Sequence, residues 1–208
     1  MNSNDNSENS ARSQLVGSDI DSLYGVIDKD KVYGLNLTIP EDAKAVVKPW
    51  DEREDTTLFA ESNVDDQLII HVPFTQNVRV KSILVKLGRG DVAPRRLRIY
   101  ANHPTIVDFA EAEAITPQLD LSLLDEAGVT EYPLRVAAFA NINTLSIFFS
   151  ESTGGDASRI YYVGFKGDTR TPRKEANTQM LVPAENSAQS RILDRVMEKA
   201  GAKQTTAR

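Results

Sequence analysis

Apolar and polar residues alternate over the first long regular stretch of the chain. Leu68, Ile70, Val72 and Phe74 interleave with Ile69, His71 and Pro73, which places the first four on the inward face of an open-faced strand and turns Ile69 outward. Beyond it the phase reverses: Val78 and Val80 share one parity, Ile83, Val85 and Leu87 the other, so the inward face must switch near Lys81-Ser82. One extra residue in the strand accomplishes this, and a β-bulge is the simplest such device. Gly88-Arg89-Gly90-Asp91 then marks a turn. Further strands are expected from Leu97 to Tyr100, Leu119 to Leu123, Leu134 to Phe139, Leu145 to Phe149 and Ile160 to Phe165, so that strand-like sequence recurs from about Val32 to Phe165. Arg96 and Arg98 alternate with Leu97 and Ile99, which reads as a solvent face.

Several of these strands are separated by about a dozen residues containing Gly, Pro, Asn or Asp, the spacing of a β-sandwich or jelly roll rather than of βαβ units. No amphipathic helix of ten or more residues intervenes, which argues against a parallel sheet. Ala and Glu accumulate from Ile106 to Ala114, where short helical turns are expected. The fold class is therefore all-β. Residues 1–18 are Asn/Ser/Asp-rich, bury too little apolar area to offset the entropy of ordering, and are expected to be disordered. The sandwich is assigned to residues 19–170. In residues 171–208 seven Lys or Arg stand against four Asp or Glu, a net of +3, leaving −9 for residues 1–170. Ile192, Leu193, Val196, Met197 and Ala200 fall at helical spacing in that tail, with Gly201 as a stop.

Composition narrows the function. A chain of 208 residues with 40% hydrophobic content buries one good core, and its net charge of −6 disfavours a partner held by phosphate neutralisation, so nucleic acid is not expected. The absence of Cys excludes disulfides, thiolate metal sites and a Cys nucleophile. The N-terminal residues lack the apolar stretch of a signal peptide, and no segment approaches the roughly 20 apolar residues of a membrane span. The chain thus reads as intracellular with no membrane partner. On that reading, Asn36-Leu37-Thr38 and Arg89-Gly90-Asp91 are chance occurrences of a glycosylation sequon and an adhesion tripeptide.

The parts of an active site do not assemble along the sequence. His71 sits within an alternating strand and His103 in the turn-like Asn102-His103-Pro104, so a zinc site would need carboxylates to complete it. Asp51, Glu52, Glu54, Asp55, Asp65 and Asp66 offer hard oxygen ligands without the spaced loop of a calcium site. No Ser has the glycines of a nucleophile elbow, and no Gly-rich loop leads into a phosphate-cradling helix. Trp50, the one tryptophan, stands beside Asp51 and Glu52, as an aromatic platform or as a ring covering the domain edge. No catalysis, cofactor or metal is expected; a binding module is.

Several stretches together, in this order, resemble the PITH family: Lys48-Pro49-Trp50-Asp51-Glu52-Arg53; Glu61 to Ile70; Pro73-Phe74; Leu97-Arg98-Ile99-Tyr100 with Asn102 and Pro104; Phe139 with Asn141-Ile142; and Tyr162 to Gly167. They span roughly Leu23 to Gly167. With no thioredoxin domain before them and no Cys pair, the chain is similar to the stand-alone members. The resemblance implies a jelly-roll β-sandwich like galactose-binding-like domains, located in cytoplasm and nucleus and without established catalysis. It also implies association with the 26S proteasome, through regulatory-particle subunits, the property for which the family is named. Trp50, Asp51, Glu52, Asp65 and Asp66 are the expected partner-binding residues, the acids meeting a basic surface. The alternative is a module binding a small ligand or carbohydrate.

Overall fold

The computed structural model describes residues 21–105 and 107–169. Within them, strands β1 (Tyr33–Leu35), β2 (Ala60–Glu61), β3 (Leu68–Leu87), β4 (Pro94–Ala101), β5 (Leu119–Ser122), β6 (Thr130–Pro133), β7 (Ile142–Ser152) and β8 (Arg159–Thr169) are accompanied by short helices α1 (Asp42–Ala45) and α2 (Phe109–Ala114). All strand pairs are antiparallel. The 20-residue β3 belongs to two layers. Its first half pairs with β1 and β7, and β7 continues through β4 to β5. Its second half pairs with β6 on one side and β8 on the other, with β2 beyond.

Register explains the core. In the first layer the rows Ile70–Ile147–Ile99–Leu119 and Leu68–Phe149–Leu97–Leu121 run straight across four strands on the inner face. In the second, Ile83 faces Phe165 and Val85 faces Val163, and both sets join one buried cluster between the layers. The phase reversal read from Val80 to Ile83 is there: β8 partners step from Gly167 opposite Val80 to Lys166 opposite Ser82, so Lys81 is the extra residue. Beside that bulge the chains approach so closely that a Cβ on Gly167 would collide with the Arg79 carbonyl oxygen. A second irregularity lies between Pro73 and Val78, where β3 leaves the first layer for the second.

Three expectations are corrected. Ile69 does not face solvent: it is 1% exposed and packs with Tyr100, Val107, Ala112 and Phe148, because α2 covers the outer face of the first layer. Asp108 caps that helix by accepting a hydrogen bond from the Glu111 N–H at 2.8 Å. Arg98 is not a simple solvent group either; its guanidinium lies 4.3 Å from the centroid of the Phe148 ring and it donates toward the Ala112 carbonyl. Finally, the strand expected from Leu134 to Phe139 ends before it begins: β6 stops at Pro133, and the Ala138 and Phe139 N–H groups both turn back to the Arg135 carbonyl. Leu134 and Phe139 are buried as anchors at the two ends of that turn, which imitates the spacing of a strand. The helix expected from Ile192 to Ala200 and the disorder expected for residues 1–18 fall outside the described residues.

Because Ile69 and Ile70 are both enclosed, Ile69→Ala and Ile70→Ala should each cost about 2–5 kcal/mol through lost transfer energy and the cavity left behind. Equilibrium denaturation checks this, and a loss at Ile69 well below that at Ile70 would mean that α2 does not seal the outer face.

Candidate functional site

Segment 48–58 lies across the outer face of the second layer, fastened by two lysines whose stems are buried. Lys48 donates to the Asp55 and Leu58 carbonyls at 2.9 and 3.3 Å and pairs with the Asp55 carboxylate. Lys86, pointing outward from β3, donates to the Glu54 carbonyl at 2.9 Å and its carboxylate at 2.6 Å. That ion pair holds the Glu54 carboxyl below the ordinary carboxylate range. Asp55 is held low chiefly by the Thr57 N–H and hydroxyl that it accepts.

Pro49 is extended and leads into a 3-10 turn, Trp50–Glu52, that displays the indole. The Arg53 guanidinium sits 4.1 Å from the Trp50 ring and also donates to the Trp50 carbonyl, closing the turn. From β8, Lys166 brings its ammonium to 5.1 Å from the same ring while paired with Glu131 at 2.6 Å. Glu131 in turn accepts from Ser82 on β3. Each cation over an exposed ring contributes on the order of 0.5–1 kcal/mol, so the indole is held half-exposed in one orientation. Asp51 and Glu52 stand exposed beside it.

Asp65 and Asp66 occupy a different place. Asp65 accepts from the Asn36 side-chain amide at 2.7 Å and from the Gln67 N–H, and Asn36, in the left-handed region at φ 56°, also accepts from the Val64 N–H. Asp66 accepts the Ser152 N–H at 2.6 Å, and its carbonyl takes the Ser158 hydroxyl. These carboxylates knit three loops together. Ser158 precedes β8 while Lys166 lies eight residues further on, about 25 Å at the usual strand rise, so the structure divides the expected residues into two groups. Trp50, Asp51 and Glu52 form one surface; Asp65 and Asp66 belong to a loop at the other end of the layer.

A His–Ser pair was not legible in the sequence, because its members are far apart in the chain. Tyr33, His71, Ser146 and Tyr100 form a row across β1, β3, β7 and β4, with His71 Nδ1 3.0 Å from Ser146 Oγ and the Tyr33 ring stacked on the imidazole at 4.9 Å. Ser146 is buried in mid-strand, and no carboxylate among the described contacts of His71 orients the ring as a nucleophile's base requires. Among the described residues no three His, Asp or Glu side chains gather to hold a metal ion.

The fold is an all-β, two-layered antiparallel sandwich that resembles galactose-binding-like domains. One solved example is CpGH89CBM32-5 from Clostridium perfringens, in complex with GalNAc-β-1,3-galactose; it matches 70% of this chain and 99% of its own with a TM-score of 0.51 at 8% identity, a likeness of fold alone. Sequence comparison is more specific. Residues 14–184 match the PITH domain, and the chain belongs to the PITH domain family. It is 33% identical over 171 residues to PITH domain-containing protein 1 of Danio rerio, and 32% identical over 171 residues to that of Homo sapiens, covering 82% of this chain and 81% of each relative.

Two measurements test this geometry. Since Trp50 is the single tryptophan, its fluorescence reports the clamp directly. Arg53→Met combined with Lys166→Met should raise acrylamide quenching without unfolding the protein; unchanged quenching would mean that the cations do not hold the ring. Burial pushes the His71 imidazole below its ordinary value of 6.5, so the fold binds the neutral form and the unfolded chain the proton. The stability this contributes is present above about pH 6.5 and is lost as pH falls below it. His71→Gln should flatten the denaturation midpoint between pH 7 and 5, and an unaltered slope would place the titration elsewhere.

Proposed function

We propose that this protein is a non-catalytic interaction module that associates with the 26S proteasome through its regulatory particle, in cytoplasm and nucleus, with the Trp50 surface as its contact. The observation that carries this reading is the indole held half-exposed between Arg53 and Lys166. An aromatic fixed before binding loses little rotamer freedom on contact, which is why such residues dominate protein interfaces. Asp51 and Glu52 supply the charged rim. Membership of the PITH family supports the choice of partner, and the acidic character of residues 1–170 supports a basic surface on it. Asp65 and Asp66 serve chiefly to shape their loop in this reading, since one oxygen of each is engaged, Asp65 Oδ1 by Asn36 and Gln67 and Asp66 Oδ2 by Ser152.

Affinity capture from a cell extract tests the proposal. Full-length protein should retain proteasome subunits, Trp50→Ala should lose most of them at an unchanged melting temperature, and Asp51→Asn with Glu52→Gln should weaken capture more at low salt than at high salt. Retention of no proteasome component, alongside retention on a glycan surface, would replace this reading with the carbohydrate-binding one.

A further inference from the structure

A cleft of about 380 Å³ opens where β3 ends and β8 begins, with Thr56, Lys86, Leu87, Arg89, Arg159 and Tyr161 among its lining residues. In an acidic domain three of its lining residues are Lys or Arg and none is Asp or Glu. Its polar lining residues are Lys86, Arg89 and Arg159, whose side chains only donate, and Thr56 and Tyr161, whose hydroxyls donate or accept. An occupant rich in acceptor oxygens and negatively charged suits this lining.

The cations are held in place from behind. Arg159 is gripped by the Glu61 carboxylate and lies 4.4 Å from the Phe59 ring centroid, which meets Tyr161 edge-on. Lys86 is fixed by Glu54. Arg89 differs: its side chain is 65% exposed, and its ion pair with Asp125 is 3.6 Å long between two exposed groups. Such a pair is worth almost nothing in water, so Arg89 is the cation available to a ligand.

Each cation already faces a carboxylate of this chain, and that decides the chemistry. A single carboxylate from outside would exchange like for like, whereas a phosphomonoester brings −1.5 to −2 charges and three strong acceptor oxygens, and suits the guanidinium fork. The volume lies at the lower end of small-ligand sites, about right for one phosphorylated side chain or one phosphorylated sugar.

We propose that the cleft formed by Lys86, Arg89, Arg159 and Tyr161 binds a phosphomonoester group. The site is separate from the Trp50 surface and does not depend on its partner.

The test is a titration of the full chain, followed by amide chemical shifts and calorimetry, with two probe pairs: a phosphoserine hexapeptide and its unphosphorylated twin, and mannose 6-phosphate and mannose. Saturable binding of a phosphorylated probe over its twin is expected, with shifts at Leu87, Arg89 and Tyr161. Preference for the hexapeptide would identify a phosphorylated protein as the source, preference for the sugar phosphate a metabolite, and equal binding the phosphate group alone. Arg89→Gln should weaken binding roughly tenfold or more at an unchanged melting temperature, because a charge-assisted contact is lost while its exposed ion pair contributes little to the fold. Trp50→Ala should leave it intact. Failure of both phosphorylated probes to bind, equal binding of the unphosphorylated twins, or unchanged affinity in Arg89→Gln would each overturn the proposal.

Discussion

One strand, β3, supplies the edge along which both layers are built, and a continuous strand cannot do this with a single alternation. Its inward residues are Leu68, Ile70 and Val72 in the first layer and Ile83 and Val85 in the second, which have opposite parity. Val78 and Val80 keep the parity of the first set, so the reversal comes at Lys81, the extra residue against β8, while further irregularities lie between Pro73 and Val78 against β7 and between Lys86 and Leu87 against β8. The close approach of Gly167 to Arg79 lies beside the bulge at Lys81. The placement of Lys166 follows from that bulge, since Lys81 as the extra residue sets Ser82 opposite Lys166 on the outer face, beneath Trp50.

Both outer faces are dressed differently, and that difference is where function enters. The first layer is sealed by α2 and Val107, which turns Ile69, Tyr100 and Phe148 into a second small core and leaves His71 part-buried in the same sheet. The second layer is covered by segment 48–58, which has little apolar content and is secured by ion pairs and carbonyl contacts to Lys48 and Lys86. A cover of this kind holds its polar residues outward in a fixed pose. The displayed indole and the cationic cleft are both products of it, because Lys86 fastens the segment and also lines the cleft.

Much of this fold was legible in the sequence where local pattern and burial agree. The alternation in Leu68 to Phe74, the parity reversal before Ile83 and the short helix after Val107 all reflect constraints that act within a few residues. Ile69 was misread because its cover comes from α2, some 40 residues away, which period-2 patterning cannot anticipate. The Leu134 to Phe139 spacing was ambiguous for another reason: a tight turn with buried ends places apolar residues much as a strand does. Of the site, Trp50 with Asp51 and Glu52 stood in one run of sequence, whereas the structural engagement of Asp65 and Asp66 depends on Asn36 and Ser152, and the cleft on residues from Thr56 to Tyr161. Long-range partners of that sort leave no trace in a single sequence.

If β3 joins the layers into one cooperative unit, its two halves must open together. Native-state hydrogen exchange at the Ile70 and Val85 amides measures this directly, because a shared strand predicts the same opening free energy at both, equal to that of global unfolding. Exchange at Ile70 through a markedly cheaper opening than at Val85 would contradict it, and would mean that the β1–β3–β7 layer folds and unfolds on its own.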